Sequence, residues 1–164
     1  MTINDALLFI EQLPLPTAIR EEDVLFPWIE SIHVLAIVVT VGVISLVDLR
    51  LIGFPSHHLS TRRLMRELLP IIWIAFALAL VTGSLLFSSH AVSYSKKLPF
   101  LLKMMLLVGA GINMAYFHLV TYRRIDLWDE QLDTPVGARV AGIISLSIWV
   151  AIVVCGRWVG FVDG

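Results

Sequence analysis

Four apolar stretches fill most of this chain, at residues 28–54, 68–89, 98–122 and 136–161, and each is long enough to cross a bilayer. A hydrocarbon core roughly 30 Å thick takes about 20 residues of helix. Inside it no water satisfies backbone N–H and C=O groups, so a spanning segment must pair its own. The sequence therefore predicts an all-α fold, a four-transmembrane-helix bundle. Composition agrees: 58% of the residues are hydrophobic, against about 45–50% in a soluble domain, and mean hydropathy is +0.87. The length fits a single membrane domain, 1–164.

Prolines and glycines punctuate the spans. Pro27 sits in the first turn of span one, and Gly53 and Pro55 close it. Pro99 opens span three and Pro135 opens span four, while Pro70 is placed to kink span two. Before the first span, residues 5–13 read as a short amphipathic helix lying in the membrane interface, ended by Pro14 and Pro16. The N-terminal 26 residues carry Asp5, Glu11, Glu21, Glu22 and Asp23 and do not read as a cleavable signal peptide. The first span is expected to serve as the targeting signal. Seven Lys and Arg residues flank the spans on the side of loops 1–2 and 3–4, against five on the other side. That balance predicts both termini outside. Ala75, Ala79 and Gly83 recur every four residues on span two, and Gly142 and Gly156 lie on span four, as small residues do where helices pack closely in lipid.

The net charge of −1 gives no reason to expect nucleic-acid binding. The single cysteine, Cys155, excludes an internal disulfide and a multi-cysteine metal site within one chain. No nucleophile–base–acid constellation or phosphate loop is present. The chemistry rests on histidines. On span one, Glu30, His33, Ile37, Thr40, Ile44 and Asp48 share a helical face, with Glu30 one turn before His33 and placed to orient its ring. On span three, Lys103, Met104, Leu107, Gly111, Met114 and His118 share a face. There Gly111 leaves a notch of the kind a flat macrocycle needs beside its axial histidine. Polar side chains inside membranes usually carry function. The plainer alternatives are a histidine bonded to a neighbouring helix and a glycine kept for packing.

At ~1.5 Å per residue, His33 lies about 9 Å and His118 about 30 Å below the outer ends of their spans. Two levels result. The outer one holds His33, His90, Lys103, Met104, Met105, Cys155 and Arg157; the inner one holds His118, His57, His58, Asp48 and Arg50. Haem iron takes His/His or His/Met axial pairs, and Lys or Arg pairs with propionates. The soft outer set His33, Met104, Met105 and Cys155 also suits copper.

The run from Pro27 and Trp28 through Glu30 to His33, the Asp48–Arg50–Gly53 segment, Thr82-Gly83, Phe100 and Lys103, Asn113, Phe117-His118 and Gly156-Arg157-Trp158 resemble an uncharacterised family of bacterial four-helix integral membrane proteins, across nearly the whole chain. The family carries no activity to transfer, but it implies a bacterial inner membrane. The histidine of span one and the Lys-then-leucines pattern of span three with its following histidine also resemble HemJ-type protoporphyrinogen oxidases, which bind haem b. The Lys103 to His118 interval is longer than that pattern, so this resemblance implies haem rather than the oxidase activity. The span-three pattern with Asn113 is similar to copper-resistance D membrane proteins.

Together these readings predict a protein that binds one or two haem b groups and passes electrons in the membrane. His33 and His118 are the first ligands, with His90 and His58 as partners. Lys103 and Arg157 would hold propionates outside and Arg50 inside, with Gly111 making room and Glu30 orienting His33. The alternatives are copper handling and a cofactor-free scaffold subunit. Expected partners are the bilayer and either a redox partner or further copies of the chain.

Overall fold

The computed structural model describes residues 2–54, 61–123 and 134–162. Among them the chain forms α1 (Ile3–Glu11), α2 (Pro14–Glu21), α3 (Leu25–Ile52), α4 (Thr61–Ser89), α5 (Ala91–Lys96), α6 (Leu98–Tyr116) and α7 (Val136–Trp158). A π-helical turn, Phe117–Thr121, continues α6.

Helices α3, α4, α6 with its π turn, and α7 are each long and apolar enough to cross a membrane. Their outward faces are hydrocarbon: Leu35 is 65% exposed, Ile74 72% and Val108 64%. No residue of the apolar window of α6 is buried within the protein. In water such a surface would drive aggregation, whereas in lipid it is the expected exterior. The four helices fit a multi-pass membrane protein.

The inward faces are small. Ala36 and Thr40 on α3, Ala75, Ala79 and Thr82 on α4, and Ala138, Ala141 and Gly142 on α7 are all buried. Close approach replaces the hydrophobic effect as the source of helix association in lipid. At Gly142 a Cβ would lie 3.0 Å from the Asp48 carbonyl oxygen and 3.1 Å from Leu51 Cβ. Packing runs in the order α4–α3–α7–α6. Helices α4 and α6 do not pack on each other to a comparable extent, and a seam opens between them.

The termini of the described bundle gather at one end, here the terminal end, with α1, α2 and α5. The end of α3, the start of α4, the π turn and the start of α7 lie at the opposite end, here the loop end. Glu11 Oε1 accepts from the Val92 amide at 2.8 Å, and Arg20 Nη1 donates to the Ser89 carbonyl at 3.4 Å. These bonds tie α1 and α2 to the top of α4 and to α5. At the loop end Val47, Leu51, Met65, Phe117, Ala138 and Ala141 make the apolar core.

The boundaries differ from the sequence reading in ways that have causes. Pro14 does not end the interfacial segment; it opens α2, where its missing N–H costs nothing. The expected helix at 5–13 is α1, and α2 is a second helix after it. Helix α4 starts at Thr61, seven residues before its apolar stretch, because Arg63 and Glu67 pair at 2.9 Å one turn apart on a polar first turn. Pro70 sits inside α4 without interrupting it. Gly53 closes α3 as expected, at φ 104°, a left-handed conformation suited to glycine, with its amide bonded to the Leu49 and Arg50 carbonyls.

Candidate functional site

Two polar groupings lie inside the bundle, one near each end. The first is built by all four spans. His33 of α3 sets its Nδ1 at 2.9 Å from Thr82 Oγ1 of α4. That hydroxyl has one hydrogen, and it points to the carbonyl of Leu78 at 2.7 Å. Thr82 therefore accepts from His33, and the imidazole proton sits on Nδ1. The Ala79 carbonyl also accepts from this ring. Gly83 makes the fit possible: a Cβ there would stand 2.8 Å from His33 Cε1. The ring lies where only a glycine leaves space.

Lys103 of α6 completes the group. Its stem lies against α7 at Gly156, and its ammonium acts electrostatically on His33. Among the described residues that ammonium has no hydrogen-bonded or ion-paired partner. A cation at this depth without an anion is costly and rare.

The second grouping surrounds a cavity of about 260 Å³ at the loop end. Asp48 of α3 and Ser145 of α7 line it and hydrogen-bond to each other. Asp48 is 4% exposed, and its Oδ2 has no partner among the described residues. Gly111, Met114 and His118 line the opposite wall, as the shared face on span three implies. A Cβ on Gly111 would meet nothing within 4 Å, so the notch is open. His118 Nδ1 lies 3.0 Å from the Met114 carbonyl oxygen, which can only accept. The proton is again on Nδ1 and the lone pair on Nε2. His118 sits in the π turn, a distortion often found at functional sites.

Other sequence-predicted residues are placed elsewhere. Glu30 is exposed and makes no hydrogen bond to His33 among the described residues. Thr82, on another helix, supplies the ring's partner. His90 bonds to Ser89 Oγ at 3.0 Å and packs its ring against Phe26 and Tyr94. Phe26 lies two helical turns above His33, so His90 stands apart from it. Burial, and then the charge of Glu30, push the Tyr94 hydroxyl up from its ordinary value. Met104 and Met105 are 37% and 71% exposed, turned toward lipid. Cys155 is half-buried, and Arg157 is exposed and lies over the Phe161 ring at 4.8 Å. The copper set does not converge, and no cluster of three or more His, Cys, Asp or Glu side chains forms among the described residues. Arg50 is buried and donates to Thr134 Oγ1 at 3.4 Å, so it anchors the chain leading into α7. His57 and His58 lie outside the described residues.

Sequence reasoning assigned no role to Thr82, Asn113 or Ser145. Asn113 donates to the Ala141 carbonyl at 3.1 Å and joins α6 to α7 beside the cavity. The sequence signals for Thr82 were its place beside Gly83 on the small-residue stripe of α4 and the Thr82-Gly83 pair in the family resemblance.

Compared with known proteins, the chain matches no family model, no curated protein and no solved structure.

Proposed function

We propose that this is a haem b-binding membrane protein of an electron-transfer system, with its haem at the His33 level. The observation that carries this reading is the pairing of His33 and Lys103. Imidazoles that ligate metals are usually fixed by a hydrogen bond from their other nitrogen. His33 has that bond, to Thr82. Lys103 is a cation beside it without an anion among the described residues, as a propionate would require. His33 and Lys103 thus offer one axial ligand and one propionate partner of a haem b. When bound, haem supplies a reversible one-electron couple. Thr82 fixes the tautomer of His33 and the angle of its ring, Gly83 makes room for that ring, and Lys103 would pair with a carboxylate. One haem is favoured over two, because the small loop-end cavity is lined by a carboxyl group rather than by a counter-cation. The excess of Lys and Arg around loops 1–2 and 3–4 supports both termini outside, in a bacterial inner membrane.

The test is the visible spectrum and pyridine haemochrome of the purified protein. A b-type spectrum is expected in the parent and in His118→Ala, and its loss is expected in His33→Ala. Lys103→Ala should retain less haem, and Lys103→Arg should restore it. A colourless parent, or a His33→Ala protein with unchanged haem, overturns the reading.

A further inference from the structure

The loop-end cavity carries an inference that does not depend on haem. Its walls are aromatic and aliphatic, with Trp73 and Phe76 from α4 and Trp149 from α7. Trp149 meets Phe76 edge-on with ring centroids 6.5 Å apart. Of the polar side chains in this wall, His118 is bonded to the Met114 carbonyl and Asn113 to the Ala141 carbonyl, while Asp48, nine-tenths or more buried, has Ser145 on its carboxyl group and Oδ2 unpartnered among the described residues. Buried acceptors are rarely left unpaired, because desolvation without a hydrogen bond costs several kcal/mol. An unpaired oxygen beside an empty volume lacks a donor that a bound molecule can bring. Residues from α4 and α6 both line the cavity, so it lies along the seam where those helices fail to pack. At about 260 Å³ it falls just below the ~300–1,000 Å³ of sites that enclose a drug-sized ligand. One ring fits, and any tail must leave through the seam into lipid.

We propose that this cavity binds the ring of a membrane-soluble phenol-type molecule, whose hydroxyl donates to Asp48 Oδ2 and whose alkyl tail emerges between α4 and α6. Aromatic walls stack and edge-pack on such a ring. The hydroxyl supplies the donor the carboxyl group lacks. A bare acyl chain would fill the volume and leave the oxygen unpaired.

The protein in phosphatidylcholine nanodiscs is titrated with para-pentylphenol and with para-pentylanisole, which has the same shape but no donor. The readout is a saturable change in tryptophan fluorescence, to which Trp73 and Trp149 contribute. The phenol is expected to bind about tenfold or more tighter than the anisole, since a buried polar oxygen left without its hydrogen bond is the costly alternative. Asp48→Asn should abolish that difference, because Ser145 can hold the amide oxygen and leave an N–H facing the hydroxyl. Gly111→Leu should remove binding of both probes by filling the notch; if that variant does not accumulate, Ala110→Leu fills the same wall. Equal affinities, a preference unchanged in Asp48→Asn, binding that survives the filled notch, or no saturable binding because lipid chains hold the cavity would each overturn the proposal. None of these outcomes bears on haem content, which is read separately from the absorbance.

Discussion

The terminal-end group and the loop-end cavity use the same kind of histidine in opposite surroundings. His33 and His118 both carry their proton on Nδ1 and hold it against an oxygen, Thr82 Oγ1 in one case and the Met114 carbonyl in the other. The first bond crosses from helix to helix; the second stays within its own helix, one turn back. Around His33 the protein is tight, with no room for a Cβ at Gly83. Around His118 it is hollow, with open space at Gly111. A glycine on a membrane helix therefore has two uses, to admit a neighbouring side chain or to leave a volume empty, and only the neighbour decides which. The separation is long: from His33 to Asp48 along α3 is about 22 Å at ~1.5 Å per residue. The two ends can be altered independently.

The sharpest way to break this contrast is to add one methyl group at each glycine. Gly83→Ala places a Cβ 2.8 Å from His33 Cε1. The ring can yield only by giving up Thr82, so the cost should be about 1–3 kcal/mol, as in other overpacked sites. Gly111→Ala should be close to neutral, because nothing stands within 4 Å. Steric-trap or detergent unfolding measures both. In the His33→Ala background the penalty of Gly83→Ala should vanish. A penalty that persists there means that Gly83 is needed by the helix itself and not by the ring.

A smaller effect is expected from the interhelical bond. Thr82→Val keeps the shape and removes the acceptor. Hydrogen bonds between membrane helices average about 0.6 kcal/mol, with a maximum near 1.7, and the loss should fall in that range. Thr82→Ser should restore it. The ring-nitrogen NMR shifts of His33 supply the second readout: the Nδ1–H tautomer should dominate in the parent and in Thr82→Ser, and become mixed in Thr82→Val. A tautomer unchanged in Thr82→Val would show that the Ala79 carbonyl alone fixes the ring.

What the sequence made legible follows the same division. The four spans were legible because about twenty apolar residues in a row have one physical meaning. The span-three face was legible in part: of its six residues Leu107, Gly111, Met114 and His118 line one cavity, while Lys103 belongs to the other grouping and Met104 is exposed. On span one the same logic selected Glu30 as the partner of His33, since periodicity sees only neighbours on the same helix. The actual partner lies 49 residues away. The π turn at Phe117 has no periodic signature, and neither does the seam, which opens because α4 and α6 meet at the Phe87–Phe100 stack near the terminal end and pack little elsewhere. Polar first turns, as in α4, hide helix starts from any reading based on hydropathy.

The smallest effect is expected outside the bundle, where α1 meets the terminal end. Thr2 and Asp5 cap each other: the Asp5 amide donates to Thr2 Oγ1 at 3.2 Å, and the Thr2 amide donates to the Asp5 carboxylate at 2.7 Å. The backbone bond from Thr2, then the bond with its side chain, holds the Asp5 carboxyl below its ordinary value of 3.8. A depressed folded-state value fixes the sign. The cap contributes fully above the unfolded carboxylate value and fades as pH falls through the lower folded one. Amide hydrogen exchange of residues 2–6 should therefore be flat from neutral pH down to about 4–5 once corrected for intrinsic rates, and should lose protection only below the ordinary carboxylate range. Asp5→Asn should remove that acid transition while leaving the bundle untouched, because α1 reaches α5 through Glu11 and not through its cap. Acid loosening of residues 2–6 that survives in Asp5→Asn would show that the Thr2–Asp5 cap does not carry the transition.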